Sequence, residues 1–260
     1  MNVEELLKLM SELASEKNGK DWDEYGLIFG DKEKDVFVLG VTWRPTLKVL
    51  KEAAEKKVDL LIVHERLFQP KPETKFFDES ILTLSPNDLR KKVLTENNIT
   101  VLRYHLSWDA ALQGNAVTAI KLLGLKNVKS FFIGGVGEIT TMTIEKLLEL
   151  VKQKFGCEKL LVTPFKPGQI VSKIALVPGG ANAVIDFMEK AKQNGAEVFI
   201  SGDVKDSTAR YAVELGLILI DAGHYFTENP GVKNLAEILK EKLPEIKVLF
   251  FDAGKPWNFK

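Results

Sequence analysis

The chain has 260 residues, 45% of them hydrophobic and 28% charged, which suits one large soluble domain or two of ordinary size and excludes a disordered, collagen-like or disulfide-built protein. Lys+Arg and Asp+Glu balance at 36 each, so no whole-protein basic field gathers nucleic acid or an anionic membrane, and the expected partners are small molecules and other protein chains. The single cysteine, Cys157, excludes an intramolecular disulfide and a multi-cysteine zinc site and fits a reducing compartment.

The N-terminal stretch "MNVEELLKLMSELASEKNGKDW" places Leu and Met at helical spacing among acids and lysines, which predicts an amphipathic helix instead of a signal peptide. No apolar run approaches the roughly 20 residues that cross a bilayer, so the expected location is the cytoplasm. Strands are predicted at 36–41, 58–63, 99–104, 128–134, 159–165, 172–177, 196–201, 217–222 and 246–251, with helical patterns between them. Ser85-Pro86 opens one helix, Thr143 with Glu145 opens another, and Gly156 closes the latter. Buried strands alternating with helices predict an α/β fold.

Sliding 36–65 by 138 positions lays it on 174–203 without a gap, strand on strand, with Leu47 over Ile185 and Ala53 over Ala191. The two histidine-bearing segments that follow, 99–123 and 217–239, match only at an offset of 119, so the first half carries an insertion, placed at 66–85. That stretch reads either as a solvated surface loop or as a lid or oligomer contact. The expected architecture is two quasi-repeated α/β halves with mostly buried sheets and a metal site at strand C-terminal ends between them. It spans a first half at 1–126, an intervening αβ segment at 127–170 and a second half at 171–260.

Each of the three histidines, His64, His105 and His224, follows or lies within two residues of the C-terminal end of a predicted strand. Ligands of open α/β sheets bind beyond those ends, where side chains distant in sequence converge. Each also has a carboxylate near it: Glu65, Asp109 and Glu228 respectively. One such histidine alone reads as an ordinary hydrogen-bonded residue, whereas three with the same placement read as a metal site for zinc, iron, manganese or cobalt. The ligand count exceeds what one four-coordinate ion needs, and two ions would share a carboxylate and an activated water. His224 and Glu228 would share a face if a helical turn formed there, but Asn229-Pro230 biases the chain toward an extended or turn conformation.

Other signals are weaker. "PGGAN" (178–182) and "GGVGE" (134–138) could cradle a phosphate but read first as plain turns, since neither completes a nucleotide-binding motif. Cys157 reads as a structural thiol, and Trp108, between His105 and Asp109, as packing ahead of a stacking surface for a ring-bearing substrate.

These residues resemble the NGG-interacting-factor-three-like family, also known as the GTP cyclohydrolase 1 type 2 family, over nearly the whole chain. The likeness lies in "DWDEYGLIFGD" (21–31), "DLLIVHE" (59–65), "HLSWDAALQGNA" (105–116), "SGDVKDSTARYAVELG" (201–216) and "GHYFTE" (223–228). It implies metal ligands at His64, Asp109, His224 and Glu228, with Glu228 bridging, two divalent ions, and a toroidal homohexamer. Glu65 stands where the family has a second histidine. A carboxylate still ligates, and favours iron, manganese or magnesium over zinc. His105 is either a ligand or a partner that orients Asp109.

Two functions stay open. One is a dinuclear-metal hydrolase of a small nucleotide-like substrate, with GTP ring opening to formate and a pterin precursor implied by the resemblance. The other is a non-catalytic metal-binding scaffold or regulatory partner, favoured by the change at Glu65.

Overall fold

The computed structural model describes residues 1–19, 22–69, 85–255 and 257–258. In chain order these form α1 (Val3–Leu13), β1 (Gly26–Phe29), β2 (Val38–Thr42), α2 (Leu47–Glu55), β3 (Leu60–Val63), α3 (Ser85–Glu96), β4 (Thr100–Arg103), α4 (Leu106–Asp109), α5 (Asn115–Leu123) and β5 (Lys126–Phe131). There follow β6 (Gly134–Thr143), α6 (Ile144–Phe155), β7 (Leu161–Val162), β8 (Ile170–Leu176), α7 (Ile185–Gln193), β9 (Val198–Ser201), α8 (Asp206–Glu214), β10 (Ile218–Asp221), α9 (His224–Lys242) and β11 (Lys247–Phe251). The fold is mixed α/β, as expected. Most of the expected insertion, 70–84, lies outside the described residues, as does Asp21 of the 21–31 segment.

Local chemistry sets the helix ends. Asn2 accepts from Glu5 N while the Glu5 carboxylate accepts from Asn2 N, a capping box that starts α1. Thr143 caps α6, and Gly156 closes it in the left-handed conformation (φ 70°) that glycine adopts without a Cβ clash.

The chain divides into two compact units, Met1–Trp108 with Leu235–Ala253, and Asp109–Asn234 with Gly254–Lys260. The first contains the sheet β1-β4-β3-β2-β11, in which β4, β3, β2 and β11 run parallel and β1 is antiparallel at the edge. All four residues of β3 and of β4 are buried, the condition that favours unbroken apolar strands. Val49, Leu50 and Ala53 of α2 and Leu94 of α3 pack with Leu61, Val63 and Val101.

The second unit holds the sheet β5-β6-β8-β9-β10-β7, in which β8, β9 and β10 are parallel and β5, β6 and β7 pair antiparallel. Leu147 and Val151 of α6 pack on Ile174, Val198, Ile200, Ile218 and Ile220, with Cys157 in the same core.

Three sequence expectations change. The predicted strand 128–134 is a hairpin whose arms are β5 and β6, turning at Phe132, which has positive φ. Glycines and threonines hid β6, although the glycines are what let its neighbours approach: a Cβ at Gly137 would lie 2.9 Å from Leu125 and Val128. "GGVGE" is therefore strand and not a phosphate cradle. The predicted strand 159–165 narrows to β7, and β1 was not foreseen.

The repeat survives with one slip. α2 and α7 begin 138 positions apart, as do β3 and β9. Leu39 pairs with Leu60 and Ile174 with Val198, however, so β2 and β8 correspond at 135 and not 138. The extra residues before α7 form the Gly179-Gly180 turn and the short 3-10 turn Ala181–Ala183.

Candidate metal centre

In the first unit, β3 and β4 run parallel with Val63 beside Arg103, which sets the following residues His64 and Tyr104 side by side and brings His105 near. The His64 and His105 rings lie 4.9 Å apart. His64 Nδ1 is 2.9 Å from Tyr104 O; a carbonyl only accepts, so Nδ1 carries the proton and Nε2 keeps the lone pair. His105 Nδ1 makes the equivalent bond, 3.0 Å, to Asp23 Oδ1.

Asp23 is held by more than one donor. Arg103 Nη1 lies 2.8 Å from the same oxygen, and Leu106 N donates to the other. Burial alone would raise this carboxyl, but the His105 hydrogen bond, the charges of His105 and Arg103 and the Leu106 amide outweigh it and hold the group at about 2. Arg103, only 1% exposed, also donates from Nε to His64 O and from Nη1 to Glu24 O. One buried arginine and one buried aspartate thus fix the backbone of His64 and the ring of His105 together. Sequence reading missed both residues because neither is an imidazole and their bonds to His64 and His105 form only in the folded chain.

The turn α4, opened by Leu106 to Trp108 of the first unit, closes on Asp109, four residues after His105. The paired imidazoles of His64 and His105 are donors of the type that a divalent metal ion takes. Asp109 Oδ1 accepts from Asn115 Nδ2 at 2.8 Å, which orients the carboxylate. Trp108 is 1% exposed, in keeping with packing. Glu65 follows His64, and its Oε2 lies 3.3 Å from Arg44 Nη2.

The second unit builds a matching arrangement from three parallel strand ends. The turn after β8 supplies Gly179 and Gly180, the one after β9 supplies Gly202 and Asp203, and the one after β10 supplies Gly223 and His224. His224 begins α9, and the helix runs on through Pro230. The expected breaking effect of Asn229-Pro230 is therefore not seen. His224 and Glu228 share one face, with Nε2 3.0 Å from Glu228 Oε2. His224 Nδ1 is 2.7 Å from Asp203 Oδ2, so this ring too has its Nδ1 committed and its Nε2 directed at a carboxylate.

Gly179 closes the arrangement. It sits at φ 81°, and a Cβ there would overlap Glu228 Oε1 and approach His224 Nε2. Its amide donates to Thr227 Oγ1, and its carbonyl accepts from Ser201 Oγ and Gly202 N. "PGGAN" is thus the wall of the His224–Glu228 pair, a role that sequence alone does not separate from an ordinary turn. A half-buried nitrogen donor facing a buried oxygen donor, with the outer nitrogen of His224 fixed, fits a divalent transition metal.

Strand ends that present imidazole and carboxylate in this way define an α/β protein whose side chains could hold a metal ion. The model of the Duf34/NIF3 (NGG1p interacting factor 3) family matches residues 1–256, and the chain belongs to that family. It is 29% identical over 255 residues to a "GTP cyclohydrolase 1 type 2 homolog" of Clostridium perfringens, covering 94% of this chain and 93% of the relative. A protein of the same name in Methanocaldococcus jannaschii is 28% identical, with 97% of this chain and all of the relative covered. Among solved structures, protein ybgI, described as of unknown function, superposes with a TM-score of 0.85 at 27% identity, covering 99% of this chain and 100% of that one. Among the described residues, no helix is long and apolar enough to cross a membrane.

Proposed function

We propose that the protein is a dinuclear-metal-dependent hydrolase of a small nucleotide-like substrate. The observation that supports this most is the common state of His64, His105 and His224: each Nδ1 is bonded to an oxygen acceptor, the outer contact that fixes the ring of a metal-ligating histidine. In this reading His64, Glu65, Asp109, His224 and Glu228 hold two divalent ions, iron, manganese or zinc, with His105 a ligand or the partner that orients Asp109. Such ions, when bound, activate a water near neutral pH and stabilise developing negative charge. The chain's own part is to fix donor directions through Tyr104 O, Asp23, Asp203 and Asn115, and to keep Asp109 and Glu228 buried at 2% and 3% exposure.

GTP, opened to formate and a triaminopyrimidine, is the named substrate to test, because the curated relatives carry that name. Incubation of GTP with protein loaded with each metal, followed by chromatography, tests it: formate above the metal-only control supports GTP, and none removes GTP while leaving the hydrolase class. Glu228→Gln is expected to abolish turnover and leave the assembly intact; an unchanged rate removes the bridging role. A cytoplasmic homohexamer belongs to the same proposal, and light scattering at six times 29.1 kDa tests the assembly.

The Glu65–Arg44 ion pair favours a second reading, a non-catalytic metal-binding scaffold or regulatory partner, since a carboxylate shared with arginine makes a weaker second site. Metal stoichiometry separates the two: two ions per chain support the hydrolase, and one supports the scaffold.

A further inference from the structure

We propose that Arg44 and Arg90 form a subsite for a phosphoryl group beside the candidate ligands, and that Arg44 becomes available to it when Glu65 turns to a bound cation. This rests on the hydrolase reading above and names the part of the substrate that the first unit holds.

Arg44 lies in the turn after β2, where Thr46 Oγ1 accepts from Val49 N and begins α2. His64 N bonds to Thr42 O and Glu65 N to Trp43 O, so the ladder of β2 and β3 continues past the strand ends and sets Arg44 beside Glu65. The Arg44 guanidinium stacks on the Trp43 ring at 4.8 Å, and its Nη2 reaches Glu65 Oε2. Among the described residues its Nε is buried without a hydrogen-bond partner.

Arg90 of α3 approaches the same segment, donating from Nη1 to Leu67 O at 2.6 Å, and among the described residues its Nε is also buried without a partner. Burial, and then the like charge of Arg44, push its pKa down. Of the two guanidiniums, Arg44 has a carboxylate partner, Glu65, and among the described residues the Nε of each is buried without a hydrogen bond. Like charges held together in this way are stabilised by an anion that spans them. A phosphoryl group offers three acceptor oxygens and up to two charges, enough for both forks.

Glu65 gives the subsite its condition. While it pairs with Arg44 it neutralises half of the positive charge; engaged with a cation, it releases that guanidinium. Metal and anion should then each strengthen the binding of the other by one common factor.

The test is calorimetric titration of inorganic phosphate into the full-length chain, metal-free and manganese-loaded, with bound manganese counted first by mass spectrometry. The expected result is that loading tightens phosphate binding about tenfold, and that Arg44→Gln and Arg90→Lys each lose about tenfold with the manganese count unchanged. Arg44→Lys keeps the charge without the fork; it gives an intermediate affinity and serves if the glutamine variant misfolds. Equal phosphate affinity with and without manganese, or in all variants, overturns the subsite while leaving the hydrolase reading intact. A chain that takes up no manganese overturns both.

Discussion

Asp203 Oδ2 stands 2.7 Å from His224 Nδ1, and Asp203 holds that position from a left-handed backbone conformation, φ 59°. Aspartate tolerates such a φ better than most residues, but it still costs about 1 kcal/mol, and the contact with His224 is what the conformation secures. Asp203→Asn should keep the fold and lower metal affinity about tenfold to a hundredfold, read by competition with a chromophoric chelator. An unchanged affinity would show that Asp203 does not orient the ring.

Gly179 and Gly180 are adjacent yet should respond differently. Gly179→Ala combines a positive φ with overlap of Glu228 Oε1 and should cost more than about 1 kcal/mol in urea denaturation while displacing Glu228. Gly180 has φ −86°, and its Cβ would meet Asp203 Oδ2 at 3.2 Å and the His224 ring at an ordinary 3.7 Å, so Gly180→Ala should fall within about 1 kcal/mol of the parent. Equal effects at the two positions would refute the account of the Gly179 wall.

Asp23→Ala takes from the buried guanidinium of Arg103 the nearer of its two carboxylates, leaving Glu24 at 3.8 Å, and should destabilise the protein by about 3 kcal/mol, measured by denaturant unfolding. The sign with pH follows from a carboxyl held at about 2 against 3.8 in the unfolded chain. Its contribution is complete above 3.8 and is lost as pH falls through about 2, so the parent and Asp23→Ala should converge in stability only in strong acid.

The thiol of Cys157 is pushed by burial from 9.0 up to about 11. Since the folded value is the higher one, the stabilising effect is full below 9.0 and declines as pH rises through about 11. A disulfide-exchange reagent at pH near 8 should leave the folded protein unmodified and label one thiol after denaturation. Rapid labelling of folded protein would contradict the burial.

How much of this was legible in the sequence depends on what each residue contacts. Buried parallel strands such as β3, β4, β9 and β10 are continuous apolar runs, so periodicity finds them, and the histidines beyond them stood out for that reason. The strand β6 escaped because its glycines serve close packing instead of supplying apolar side chains. Asn229-Pro230 was read as a bias toward an extended or turn conformation because a proline ring crowds the residue before it, yet α9 spans both. Asp23 and Asp203 act on imidazoles 82 and 21 positions away, and only the strand order shows that they meet.

A chain whose one sulfhydryl is sealed in a core is a ready background for spectroscopy. Cysteines introduced singly on the surface of each unit would take a spin or fluorescent tag without competition, turning the silent native residue into the means by which distances across the molecule are measured as metal is added.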